Sequence, residues 1–280
     1  MTAEAVARTA VLVAAIRAHE SQRDRPLFED PFAARLAGDA GREMLARMIA
    51  EAGEHSTAQI VVRTRFWDEA LLRAAQTARQ VVILAAGLDA RAFRLAWPPG
   101  TTVFEVDQPA VVAAKDGVLA GERPRCARVT LGADLAGDWS AAVTDAGLDP
   151  AVPTAWLIEG LLQYLDADAV HRLFTRVDAL SAPSSVLLYD IVSATLLTEP
   201  AMAGLLAAMA AQGSPWLFGS DAPGELVEPM GWTATVTDVA EPGAAFGRWP
   251  DAATGGGFSS RRTRGRTRSD SGSWHTSWHG

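Results

Sequence analysis

The sequence has almost no cysteine. Cys126 stands alone, so an intramolecular disulfide and a multi-thiolate metal centre are both excluded, and a cytoplasmic setting is expected. No uninterrupted apolar run reaches the roughly 18 residues that a membrane-spanning helix needs. Met1 to Arg17 carries no basic segment followed by a long apolar stretch, and reads as a helix rather than a signal peptide. Basic residues are in the minority: the formal net charge is −8, which argues against a nucleic-acid partner, since such domains present a basic face. There is no G-x-G-x-x-G, no G-x-S-x-G around Ser181, Ser184 or Ser185, and no His/Asp/Glu grouping at metal-ligand spacing. A metal and serine-hydrolase chemistry are therefore not expected. His19, His55 and His171 are scattered, and each reads as a surface or structural histidine rather than a catalytic base.

What is present is an apolar fraction of 49%, enough for a sizeable core. Residues 4–20 are alanine-rich with spaced Val, Leu and Ile, a helical pattern. Asp30-Pro31 predicts a helix start with Asp30 as N-cap, a further helix covers 39–52, and 58–77 reads as a long amphipathic helix. From residue 80 the rhythm changes. VVILA (81–85), TVFEVD (102–107), Arg128 to Leu131, TAWLIEG (154–160) and SVLLYDIV (185–192) read as strands, separated by helical stretches at 108–119, 137–146 and 167–180. Such alternation predicts an α/β fold: a doubly wound, mostly parallel sheet. A helical segment at 194–212 and a strand at 232–239 follow. Residues 1–250 are expected to form one domain. Residues 251–280 read as a low-complexity, disordered tail, with five arginines in eight positions from Arg261 to Arg268.

The strongest chemical signal is the passage from the first strand to the second. Ala85, Ala86 and Gly87 follow VVIL, then Asp89 and Arg91. A turn of this kind brings backbone N–H groups close to a bound cofactor, and Gly87 removes the side chain that would block it. Asp107 ends the second strand, 20 residues after Gly87. A carboxylate there can accept both ribose hydroxyls of an adenosine; alternatively it caps the helix that begins at Gln108-Pro109. Without the three glycines of a dinucleotide fingerprint, a cofactor lacking phosphate fits better. Glu159 ends a very apolar strand, and a carboxylate buried there needs partners.

AAGLDARAFRL (85–95), FEVDQPAVVAAK (104–115), GADL (132–135) and WLIEGLLQYL (156–165), with LFEDPFA (27–33) before them, resemble in order the motifs of the leucine carboxyl methyltransferase family, and especially its actinobacterial-type branch. The resemblance runs from about residue 27 to 192, and more weakly to 249. It implies a class I methyltransferase (Rossmann-like) sheet with a helical cap, formed by residues 1–56 and 194–230, and S-adenosyl-L-methionine as cofactor. On the resemblance, Arg63, with Arg65 as the alternative in register, pairs with the methionine carboxylate. Ala85, Ala86, Gly87 and Asp89 line the methionine part. Asp107 with Gln108 binds ribose, Asp134 and Leu135 contact adenine, and Glu159 with Gly160 lies by the methionine amino group and the methyl-transfer centre. Tyr164 faces the substrate, and Glu159 and Tyr164 are the catalytic candidates. One departure stands out: Ala85 replaces a glycine usual in the family.

The implied function is O-methylation of a small-molecule carboxylate or hydroxyl, with secondary metabolism as its setting. The competing readings are an NAD(P)-dependent oxidoreductase on the same sheet plan and a non-catalytic cofactor-binding relative.

Overall fold

The computed structural model describes residues 3–249 and 260–264, with side chains for 8–249. Three helices come first: α1 (Ala3–Ser21), α2 (Ala33–Ala52) and α3 (Ala58–Ala74). The two helical stretches read separately from the sequence are joined in α2, which kinks at Gly38, where φ is 59°. Asp30 does not cap this helix. The helix begins at Ala33, and the Asp30 carboxylate instead accepts the Phe32 N–H at 3.1 Å in the turn before it.

Strands and helices then alternate: β1 (Gln80–Leu84), the single-turn α4 (Arg91–Arg94), β2 (Thr102–Asp107), α5 (Pro109–Val118), β3 (Ala127–Gly132), α6 (Ser140–Asp145), β4 (Thr154–Ile158), α7 (Ala167–Ala179) and β5 (Val186–Val192). The remaining elements are α8 (Ala203–Ala211), β6 (Thr235–Asp238), α9 (Ala240–Ala245) and β7 (Ser260–Arg264). The first five strands pair in parallel, and the whole sheet has the order β3-β2-β1-β4-β5-β7-β6. This is the doubly wound plan expected from the alternation.

The apolar strand runs follow from burial on both faces. Val81 and Ile83 of β1 point into a core shared with α1, α2 and α3, while Val82 and Leu84 point into a second core with Val143 of α6 and Phe174 of α7. α7 shows the local logic: the Asp166 carboxylate caps its first turn through the Ala169 N–H at 2.7 Å, and Val170, Leu173, Phe174 and Val177 form its buried stripe.

Two expectations are corrected. The predicted helix over 194–212 is broken: short 3₁₀ turns at Thr195–Thr198 and Pro200–Met202 precede α8, because Pro200 lacks the N–H that would continue a helix. Within the stretch read as a disordered tail, Ser260–Arg264 form β7, antiparallel to both β5 and β6. They satisfy backbone groups that β5 would otherwise leave open. SRRTR has no apolar alternation, so periodicity could not reveal it. The rest of that tail lies outside the described residues.

The sheet sets the place of the site. From β1 the chain moves outward to β2 and β3, then returns to β4 on the other side of β1. Loops leaving β1 and β4 therefore part in opposite directions and open a crevice at the carboxyl edge.

Candidate active site

A cavity of about 460 Å³ fills that crevice, within the range of small-molecule and cofactor sites. The turn after β1 forms one wall. Ala85 and Gly87 both have positive φ, 54° and 51°. The turn is tied to β2 by the Ala86 N–H, which donates to the Val106 carbonyl at 3.2 Å. Asp107 completes the tie: its carboxylate accepts the Gly87 N–H at 2.6 Å and the Gln108 N–H at 2.6 Å. Burial raises its pKa, and the two N–H donors oppose the rise only in part. The helix-cap alternative is not realised, since Gln108 occupies the cap position of α5.

Left-handed backbone costs an alanine about 1–2 kcal/mol, a penalty glycine escapes. Ala85→Gly is therefore expected to stabilise the protein by about 1 kcal/mol, offset slightly by the freer unfolded chain. Chemical denaturation of the two proteins checks this; a less stable glycine variant would refute the strain at Ala85.

The floor of the cavity is a buried ionic network. Glu159, just past β4, accepts Arg63 Nε at 2.8 Å on one oxygen and Arg91 Nη1 at 2.7 Å on the other. Arg63 Nη1 continues to Asp190 of β5 at 3.0 Å, and the second oxygen of Asp190 accepts the Gly160 N–H at 2.6 Å. Arg91 also bonds Asp89 and, through Nε at 2.6 Å, Asp68, whose carboxylate is held in addition by Arg94 at 2.6 and 2.7 Å. Burial pushes the Glu159 carboxyl upward, but Arg91, Arg63 and Arg17 outweigh it and hold the pKa well below the usual carboxylate range. Gly160 is required here. Its φ is 67°, and a Cβ would sit 3.2 Å from Arg63 Nη1.

Most of the residues singled out in the sequence meet on this cavity: Arg63, Ala85, Ala86, Gly87, Asp89, Asp107, Gln108, Asp134, Leu135, Glu159, Gly160 and Tyr164 all line it. Asp134 sits in a turn at the rim, where its carboxylate accepts the Ala136 N–H at 2.9 Å. Tyr164 closes a 3₁₀ turn, Leu162–Tyr164, and is buried. Arg65 is a correction. Two residues on from Arg63, it leaves α3 on another face and bonds Glu69 and the Leu27 carbonyl, both at 2.7 Å.

Sequence reading missed Arg17, Gln163, Asp190 and Trp216, which also line the cavity, and it left Arg91 without a role. Asp190 carried a signal, a lone acid inside an apolar strand. Arg17 carried a weaker one, a single arginine in the apolar half of an alanine-rich helix. Among the described residues no group of three or more His, Cys, Asp or Glu is placed to hold a metal, and no helix is long and apolar enough to cross a membrane.

The chain is similar to known proteins in sequence and in fold. A relative from Parafrankia sp. (strain EAN1pec) is 50% identical over 190 residues, 64% of this chain; the match spans 61% of that protein's own length. One from Frankia alni (strain DSM 45986) is 42% identical over 253 residues, 86% of this chain and 87% of its own. Both carry the name "Putative S-adenosyl-L-methionine-dependent methyltransferase". In fold, the chain is similar to a crystal structure from Thermobifida fusca YX (TM-score 0.63, 17% identity, 93% of this chain and 94% of that one). It is also similar to a DUF574 family protein from Streptomyces avermitilis MA-4680 (TM-score 0.57, 18% identity, 91% and 96%). The family model for leucine carboxyl methyltransferase matches residues 10–178, which contain the Gly87 turn, Asp107, Asp134 and Glu159, and the chain belongs to that family.

Proposed function

We propose that the chain transfers a methyl group from S-adenosylmethionine to an oxygen of a small molecule, a carboxylate or a hydroxyl, in secondary metabolism. The observation that carries this reading is the Asp107 carboxylate, buried at the end of β2 and sharing one cavity with Gly87 and Glu159. The residues suit the cofactor. Asp107 retains lone pairs for two ribose hydroxyls, Asp134 and Leu135 flank the position for adenine, and Gly87 itself has no side chain to obstruct the methionine part.

When bound, the cofactor supplies a methyl group on a sulfonium, with a thioether as leaving group. The work left to the chain is to hold the acceptor in line and to keep water out, and positioning of this kind contributes on the order of 7–11 kcal/mol. Glu159 does not take a proton. Both of its oxygens are engaged by arginines, so it braces Arg63 and Arg91 beneath the reacting groups. The Tyr164 side chain faces the acceptor. Among the described residues that line the cavity there is no histidine. A carboxylate acceptor, with a pKa of about 4, arrives ionised and needs no base, which favours it over a hydroxyl. α1 and the segment 194–230 form the cap, reaching the cavity through Ala10, Val13 and Trp216.

Isothermal titration tests the reading. Saturable heat with S-adenosylmethionine below millimolar concentration is expected. No heat at millimolar cofactor, with the protein folded, would count against it, and enhanced fluorescence of a reduced nicotinamide dinucleotide would point to the oxidoreductase reading.

A further inference from the structure

One end of the cavity is neutral. The sheet order places β5 two strands from β1, on the side away from β2 and β3. Asp107, Asp134 and Leu135 therefore line one end, and the end formed by Gln163, Ile191, Val192 and Trp216 is left for the acceptor. Arg63, Glu159 and Asp190 border that end but are committed to one another at 2.8 and 3.0 Å. Arg17 reaches the turn after β1 instead, at the Leu88 carbonyl. Trp216 packs on Val192, Leu196 and Met202 with its Nε1 buried, so the indole meets the space through its carbon atoms.

Against this apolar wall stands a buried amide. Gln163 is 8% exposed and lines the cavity, yet its side-chain amide has no hydrogen-bond partner among the described residues. Its backbone is fixed. The Gln163 carbonyl accepts the Leu217 N–H at 2.6 Å, which ties the turn after β4 to the segment that carries Trp216. That segment lies close on the end of β5: the Ser220 N–H donates to the Val192 carbonyl at 3.0 Å, and a Cβ on Gly219 would sit 2.9 Å from the Ser193 carbonyl oxygen. A buried amide with unused donors costs stability until a ligand completes it.

The change of charge during methyl transfer indicates which ligand group suits a neutral donor. With a carboxylate acceptor, one oxygen bonds to the methyl carbon, the carbon–sulfur bond breaks with its electron pair staying on sulfur, and no proton moves. An anion and a sulfonium become a neutral ester and a neutral thioether. A free cation beside the carboxylate would stabilise the ionised ground state more than a transition state that is losing charge. An amide NH₂ orients the second oxygen with a weaker grip on that charge.

We propose that Gln163 determines acceptor specificity: its NH₂ holds the carboxylate oxygen that does not attack, while the acceptor's apolar body lies against Ile191, Val192 and Trp216. The substrate class is then an apolar monocarboxylic acid. The inference rests on the methyltransferase reading, and the experiment separates the two claims. The wild-type protein is titrated with S-adenosylmethionine and then assayed for methyl transfer. The acceptors are straight-chain acids from hexanoic to hexadecanoic acid and aryl-substituted propanoic acids, each beside its matching alcohol and dicarboxylic acid. Monoacids are expected to exceed both analogues by about 10-fold or more in kcat/KM, because an alcohol leaves the amide unpaired and a diacid buries a second charge. Gln163→Met keeps the side chain's length and removes the amide. It is expected to lower kcat/KM for the acids by about 10- to 100-fold, the range of a hydrogen bond to a charged group, with cofactor affinity held within about 2-fold. Gln163→Arg divides the constants: the added cation lowers KM for the acids and lowers kcat with it.

A Gln163→Met variant that loses cofactor affinity as much as acid turnover would make Gln163 a packing residue and overturn the proposal. So would a Gln163→Met variant as active as wild type, or a Gln163→Arg variant with raised kcat. A wild-type protein that binds the cofactor yet methylates only the alcohols, or nothing in the panel, would overturn it too. If Gln163→Arg does not fold, Gln163→Met decides alone. Failure of the wild-type protein to bind S-adenosylmethionine would instead remove the functional reading on which the proposal stands.

Discussion

Glu159→Gln is expected to lower the unfolding free energy by about 3–5 kcal/mol at neutral pH, the usual consequence of removing one partner from a buried ion pair. The change is small in shape and large in charge. Arg63 and Arg91 keep Asp190, Asp89 and Asp68, but one of them exchanges its carboxylate oxygen at 2.7–2.8 Å for a neutral amide oxygen and the other is left facing an NH₂ donor. The effect depends on pH in a defined direction. Since the folded carboxyl titrates below the unfolded one, its contribution is fully present above the unfolded pKa of about 4.3 and disappears as the pH falls through the folded value. Wild type and variant should therefore differ most at neutral pH and converge in acid. Urea denaturation at a series of pH values measures this. A difference that is under 1 kcal/mol, or that widens in acid, would mean that the network contributes no stability through Glu159.

Asp107→Ala should be the most damaging single change for cofactor binding. On the proposed function the variant would lose two charge-assisted hydrogen bonds to ribose, each worth about 1.5–3 kcal/mol, so affinity is expected to fall by about 100-fold or more. The fold suffers as well, because the Gly87 and Gln108 N–H groups lose the acceptor that joins their loops. Asp107→Asn separates the two effects. An amide oxygen can still accept one of the two N–H groups, so part of the lost stability is kept, while its NH₂ group cannot accept from a hydroxyl. Titration calorimetry on both variants, with denaturation curves beside it, tests this. Unchanged affinity in a folded Asp107→Asn variant would remove Asp107 from the cofactor site.

How much was legible in the sequence depended on whether the cause was local. β1, β2 and β4 were visible because strands buried on both faces are continuous apolar runs. Asp107 and Glu159 were visible because each is an acid at the end of such a run. The ionic floor was not. Arg91 meets Glu159 across 68 positions of sequence and Arg63 meets Asp190 across 127, and no window of residues encodes a pairing at that distance. The choice between Arg63 and Arg65 turned on the rotation of α3, which apolar periodicity fixes only roughly. β7 was hidden for the opposite reason: its backbone pairing is clear, but its sequence is made only of arginine, serine and threonine.

The long reach of the ion pairs has a consequence for how the protein is made. Arg63 emerges early in synthesis, but Glu159 comes 96 residues later and Asp190 later still. A growing chain can form α1, α2 and α3 and bury much of their apolar surface while the arginine between them waits for both carboxylates. Contacts so distant in sequence are slow to close. Ligand affinity should thus switch on late in translation, after β5 has cleared the ribosome, and a chain released before that point would carry an unneutralised cation in its interior and be a natural target for quality control.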